Sequence, residues 1–187
     1  SQSNEELKKQ LFNDFIYPEH YLNAKGKDQI ASFKNTDGNL SSWNLNIINF
    51  NYTHTIENIL QLKVGDKIGQ ERNIPIIYRG VQHIHRTLND NGIWIGVNDE
   101  SQIGNAAFRE ALRIKYLLIK PFIISESGNK EEIICERIIA DSNLICVFGS
   151  SLGDTDEYWV EKLTNRLITS ERWQLIYFTV SKEVYPT

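Results

Sequence analysis

The sequence has little cysteine, no long apolar run and no surplus of positive charge, and each shortage removes a class of function. Its two cysteines, Cys135 and Cys146, fit no Cys-x-x-Cys spacing, which argues against the common cysteine-based metal modules. Cys146 stands in an apolar run and reads as a small buried hydrophobe. Nothing calls for an oxidising compartment, so a reduced cytoplasm is the expected location. No apolar stretch approaches the roughly 20 residues that span a bilayer, and no secretory h-region opens the chain, so no membrane partner is expected. The net charge is −4 and the pI about 5.6, against the basic face of a nucleic-acid binder. The locally basic residues 109–120 are interleaved with apolar ones and read as a solvated helix face. There are no repeats and no low-complexity segment. An initiator methionine is also lacking, and Ser3-Asn4-Glu5-Glu6 has the capping-box form, so the chain reads as a fragment or a processed product.

What is present suits an α/β domain. The 187 residues are 41% hydrophobic and 24% charged, enough for one core. Residues 4–17 pattern as an amphipathic helix with Leu7, Leu11, Phe12 and Phe15 on one face, ended by Pro18. Residues 21–42 are polar and turn-rich, with room for a short strand at 30–33. Residues 47–50 then read as a buried strand that turns directly into a helix carrying Ile56, Ile59 and Leu60 on one face. Thr53 or Thr55 can cap that helix. Residues 64–66 form a turn and 72–78 a strand. Along residues 81–85 an extended chain would set Val81, His83 and His85 on one face and Gln82 and Ile84 on the other. Asn89-Asp90-Asn91-Gly92 signals a hairpin turn into a strand at 93–95. Helices are expected within 101–115 and over 130–140, with 116–124 irregular or weakly helical. Residues 144–148 form the clearest strand, and continuous apolarity predicts burial on both faces. Asp154 and Glu157 open a helix to about residue 170, and a last strand covers 173–180. The recurring strand–loop–helix order is the doubly wound α/β pattern.

Three polar clusters sit where such sheets bind ligands, beyond the carboxyl ends of strands. They are Asn51-Tyr52-Thr53-His54, His83 to Asp90, and Gly149 to Asp156. The first also reads simply as helix capping. In the third, Gly149, Ser150 and Ser151 offer backbone N–H groups ahead of a helix for an anion or ribose. Asp154 and Asp156 can bind sugar hydroxyls or cap that helix. As a metal pair, His83 and His85 have no third ligand nearby in sequence except Asp90, so no metal is expected. A histidine facing a cleft can move a proton near neutrality, or be a satisfied structural group.

Four motifs resemble the AbiH abortive-infection family: Phe50-Asn51-Tyr52-Thr53-His54-Thr55-Ile56-Glu57, His83-Ile84-His85-Arg86-Thr87-Leu88-Asn89-Asp90, Ile95-Gly96-Val97-Asn98-Asp99 and Phe148-Gly149-Ser150-Ser151-Leu152-Gly153-Asp154-Thr155-Asp156. They occur in the family's order between residues 50 and 156, and the resemblance covers roughly residues 45–180. The family is itself similar to sirtuin-like NAD-binding domains. The resemblance implies a Rossmann-like fold, a mostly parallel sheet flanked by helices, with NAD or ADP-ribose as ligand or substrate. It places Asn51 to position a nucleophile or water, and His85 to act on a ribose hydroxyl, which suits a reaction that builds positive charge on the sugar. Tyr52, Thr53, Arg86 and the residues of the third cluster fall on the nucleotide side. The implied activity is a NAD glycohydrolase-type hydrolysis in phage defence. The alternative is a nucleotide-sensing or interaction module, with a phage component or a partner protein as trigger.

Three departures qualify this. The family usually has Gly where this chain has Arg86, which could pair with a phosphate. It often has His in the position of Ser150. It opens with a strand and a Gly-Asn-Gly-Phe-Asp-type loop that is missing here, so either the nucleotide pocket is incomplete or, the reading favoured, the chain is the C-terminal part of a larger protein, one domain over 1–187 lacking its first β-α unit. Two cysteines cannot form the four-cysteine zinc module of sirtuin deacylases, which argues against deacylation.

Overall fold

Apolar Trp43, Leu45 and Ile47 alternate with exposed Asn44 and Asn46, the period of two that puts one face of a strand on a core. Strand β1 accordingly runs Trp43–Asn49, starting earlier than the apolar run at 47–50 suggests. The computed structural model describes residues 2–34, 40–87, 96–97, 99–119, 122, 130–149, 156–169 and 173–178. They fall into two compact units, Ser1–Ile93 and Trp94–Thr187.

In the first unit, helix α1 (Gln2–Ile16) forms as expected, with Leu11, Phe12 and Phe15 half-buried but Leu7 exposed, and Ser3 lies inside the helix rather than ahead of it. A 3-10 turn at Pro18–Tyr21 follows. The segment expected to be loop and strand is instead helix α2, Ala24–Lys34, with Ile30 buried. Its start is fixed by Asn23, whose Oδ1 accepts from the Gly26 N–H at 2.9 Å; Gly26 therefore sits in a first helical turn, not in a loop. At the far end of α2, Lys34 Nζ lies 2.6 Å from Glu19 and 3.8 Å from Glu71.

After β1 the chain forms helix α3 (Thr55–Leu60), then strand β2 (Lys67–Glu71), a two-residue turn and strand β3 (Ile74–His83). The sheet order is β1-β3-β2, with β1 parallel and β2 antiparallel to β3. The β2–β3 hairpin turns through Arg72 and Asn73, both at positive φ (48° and 70°), the backbone that a tight hairpin needs. Without glycine there, neither the turn nor polar β2 stands out in the sequence. Gly69 leaves room for α1, since a Cβ there would stand 2.7 Å from Ile16 Cδ1.

In the second unit, 3-10 turn Glu100–Gln102 and helices α4 (Ala106–Glu110) and α5 (Leu112–Leu118) replace the single helix expected over 101–115. Asn105 caps α4 by accepting from the Ala107 and Phe108 N–H groups at 2.9 and 3.4 Å. Ala111, extended at φ −79° and ψ 101°, separates α4 from α5. Helix α6 (Lys130–Asp141), strand β4 (Leu144–Phe148), helix α7 (Glu157–Thr169) and strand β5 (Gln174–Phe178) follow as anticipated. Strands β4 and β5 pair in parallel. Strand β4 is not buried on both faces: its first four residues are half-buried and Phe148 is exposed. Among the described residues β5 is its only ladder partner. Cys146 is half-buried; the buried thiol is Cys135, pushed up to about 12 by burial and by Glu131 and Glu132, which leaves it unreactive. Glu136 on α6 binds Lys162 of α7 at 2.6 Å and accepts the Tyr158 hydroxyl.

The protein is α/β, with a three-stranded mixed sheet in one unit and a two-stranded parallel sheet in the other. The hairpin expected at residues 89–92 and the strand at 93–95 lie outside the described residues. Among the described residues, no helix is long and apolar enough to cross a membrane.

Candidate functional site

The site grows from one irregularity in the β1–β3 ladder. Register runs Leu45↔Tyr78 and then Ile47↔Val81, so β3 carries one extra residue at Arg79–Gly80. Gly80 takes φ +108° there, the positive φ that a bulge of this kind requires and glycine supplies. The bulge sets Asn49 opposite His83. Continued without it, the ladder would oppose Asn49 with Gln82 and turn His83 to the other face.

Beyond the strands, buried Asn49 organises the loop. Its Oδ1 accepts the Asn51 N–H at 3.0 Å, and its Nδ2 donates to the Thr53 carbonyl at 3.3 Å. Its own carbonyl accepts the Ile84 N–H at 3.1 Å. The loop thus delivers His54 to the start of α3. Neither threonine is the N-cap: His54 holds that position without a capping side-chain bond, and the Thr53 and Thr55 hydroxyls pair with each other at 2.9 Å.

Glu57 is the centre of the polar group. It lies one helical turn beyond His54, so both face the same way. Its Oε1 is 3.0 Å from His54 Nδ1 and 2.5 Å from His83 Nε2. The two rings stand edge to face, 5.0 Å between centroids. His83 Nδ1 is 3.2 Å from the Asn51 carbonyl. Carbonyl and carboxylate oxygens both accept, so making both contacts at once uses an N–H on each ring nitrogen. Burial alone would raise the Glu57 carboxyl, but hydrogen bonds from His83 and then His54 outweigh it and hold it below the usual carboxylate range. Burial, and then the Glu57 charge, raises the Tyr78 phenol.

His85 does not share a face with His83. Strand β3 ends at His83, so alternation stops, and Ile84 and His85 form a turn. His85 is 5% exposed, stacked on Tyr52 at 5.7 Å and edge-on to Phe50 at 6.0 Å. Arg86 follows at φ +59°, a left-handed backbone that glycine adopts more readily. Asn51 and Thr53 are exposed, Tyr52 and Arg86 half-buried.

The first two sequence clusters therefore meet at the carboxyl end of a parallel strand pair. Of the third, exposed Gly149 ends β4 and half-buried Asp156 precedes α7, both in the other unit; Ser150, Ser151 and Asp154, like Asp90, lie outside the described residues. Sequence reasoning missed Glu57 and Asn49 as functional positions. The available signal was His54-x-x-Glu57, two metal- or proton-binding side chains one turn apart directly after a strand.

A family model described as bacteriophage abortive infection AbiH matches residues 2–177. No curated protein and no solved structure matches the chain.

Proposed function

The chain belongs to the AbiH family of bacteriophage abortive infection, and from that premise we propose that the rim at the ends of β1 and β3 binds a nucleotide of the NAD or ADP-ribose class. The role of the protein is phage defence; the ligand is the finer reading. One observation carries it: the Asn49–His54 and His83–Arg86 segments converge where parallel strands end, the place at which open α/β folds take their ligands. The reading treats the β1–β3 crossover as part of a Rossmann-like arrangement. The resemblance gives half-buried Tyr52 the stacking of a base or nicotinamide, and Arg86 the pairing with a phosphate. Gly149, Ser150, Ser151, Asp154 and Asp156 keep the nucleotide role implied by the resemblance, and the trigger is a phage component or a partner protein.

Binding without turnover is the reading we favour. The His85 ring is covered by Tyr52 and Phe50, so contact between it and a ribose hydroxyl requires Tyr52 to swing away, whereas binding does not. Hydrolysis of NAD, with Asn51 placing the water and His85 acting on the ribose, is the second reading; the exposed Asn51 side chain at the rim favours it.

Calorimetry of the full chain with ADP-ribose is expected to show saturable one-to-one binding, weakened on the order of tenfold by Tyr52→Ala, about the 1–3 kcal/mol that a stacked base is worth. Absence of binding rejects the nucleotide reading. NAD consumption that Asn51→Ala abolishes selects the hydrolase over the sensor.

A further inference from the structure

We propose that His54, Glu57 and His83 form a binding site for a divalent transition-metal cation of the zinc type, with one coordination position left to water. This goes beyond the nucleotide reading and does not rest on it.

The donor atoms are His54 Nδ1, a Glu57 carboxylate oxygen and His83 Nε2, all within 4.8 Å of one another. Two imidazoles and one carboxylate are the donor set of open, three-ligand zinc sites, in which water takes the fourth place. Hard cations such as Mg²⁺ and Ca²⁺ prefer oxygen donors throughout, so the two nitrogens select against them. With metal–ligand bonds of about 2.0–2.1 Å, neighbouring donors of a tetrahedral site stand about 3.3 Å apart. The His54–Glu57 separation of 3.0 Å is already close to that. The His83–Glu57 separation of 2.5 Å must open by under an ångström, which a small rotation of the carboxylate supplies.

Two features beyond proximity point to a ligand. Glu57 Oε2 is buried and has no partner among the described residues, so the carboxylate keeps a second oxygen for a cation. The His83 Nδ1–H is directed at the Asn51 carbonyl, 3.2 Å away. That outer hydrogen bond is the one which fixes a metal-binding histidine in orientation, and the ion takes the place of the proton on its other nitrogen, which is released to solvent. The cluster is also accessible: side-chain exposure is 37% for His54, 30% for Glu57 and 10% for His83. His83 anchors the inner side and His54 borders solvent, where the water position falls.

Zn²⁺ titrated into the chelator-treated full chain is expected to bind one-to-one and to raise the melting temperature, while Mg²⁺ does neither. Glu57→Gln, close in shape, and His54→Ala, at a half-exposed position whose side chain caps nothing, should each weaken Zn²⁺ at least about 100-fold, above the 10–100-fold typical of outer-shell changes. His20→Ala, outside the cluster, should leave it unchanged. Co²⁺ should give a visible spectrum without a thiolate charge-transfer band. The proposal is overturned by Zn²⁺ affinity unchanged in His54→Ala, by a thiolate band assigning the metal to Cys135 or Cys146, or by no saturable binding to the folded wild-type chain.

Discussion

Leu60→Ala lowers the stability of the first unit by about 2–5 kcal/mol, the range for deleting a fully buried leucine, and disorders the polar group with it. Leu60 is 0% exposed and is the last residue of α3. A helix of six residues is too short to persist on its own, because nucleation costs more than so few hydrogen bonds return. What holds α3 is burial: Leu60 fully, Ile56 and Ile59 by half, with α1 packed against it. Since Glu57 rides on the same helix, loosening α3 removes the carboxylate that both imidazoles meet. Urea unfolding followed by fluorescence, in a background where Trp43 is the one tryptophan kept of four, measures the change, as a lower midpoint at an unchanged m-value. Val64→Ala, at a site 70% exposed, should stay within about 0.5 kcal/mol. A Leu60→Ala cost below about 1 kcal/mol would mean that packing does not position α3.

Asn49→Ala carries the second large effect, about 1–3 kcal/mol, from two backbone groups that lose their side-chain partner. One amide side chain closes the loop in both directions, accepting from Asn51 and donating to Thr53. Asn49→Asp is the sharper probe. It keeps an acceptor for the Asn51 N–H but sets a second oxygen against the Thr53 carbonyl, so the aspartate variant should be at least as unstable as the alanine one. Hydrogen exchange reads the local consequence: the Asn51 amide should exchange on the order of tenfold faster in Asn49→Ala, the equivalent of about 1.4 kcal/mol of lost protection. Unchanged exchange would remove Asn49 as the residue that shapes the rim.

These two residues also mark what could be read from the sequence. Strand β1, helix α3, helix α6 and strands β4 and β5 announce themselves through local apolar runs and periodicity, and a polar cluster directly after an apolar strand already points to the rim. The AbiH resemblance over residues 45–180 agrees with the family match, which also takes in α1 and α2. The pairing of Glu57 with His83 was illegible because the two stand 26 positions apart, and their meeting depends on one extra residue in β3 at Gly80. A strand pattern continued by rote through residues 81–85 pairs His83 with His85; the chain instead stops extending at His83, sending one histidine to Glu57 and the other under Tyr52. Helix α2 was hidden because Gly26 signals a turn more loudly than Asn23 signals a cap. The β2–β3 turn was hidden because Arg72 and Asn73 take a glycine-like backbone without glycine. In each case a tertiary or capping interaction overrode a local preference.

The most direct test of the central arrangement is the imidazole nitrogen spectrum of the full chain at neutral pH, recorded for the wild type and for Glu57→Gln. If His54 and His83 both bind one Glu57 oxygen, removing the charge from that side chain shifts the ring resonances of both and leaves those of His20 in place. His83 resonances that do not move would contradict it.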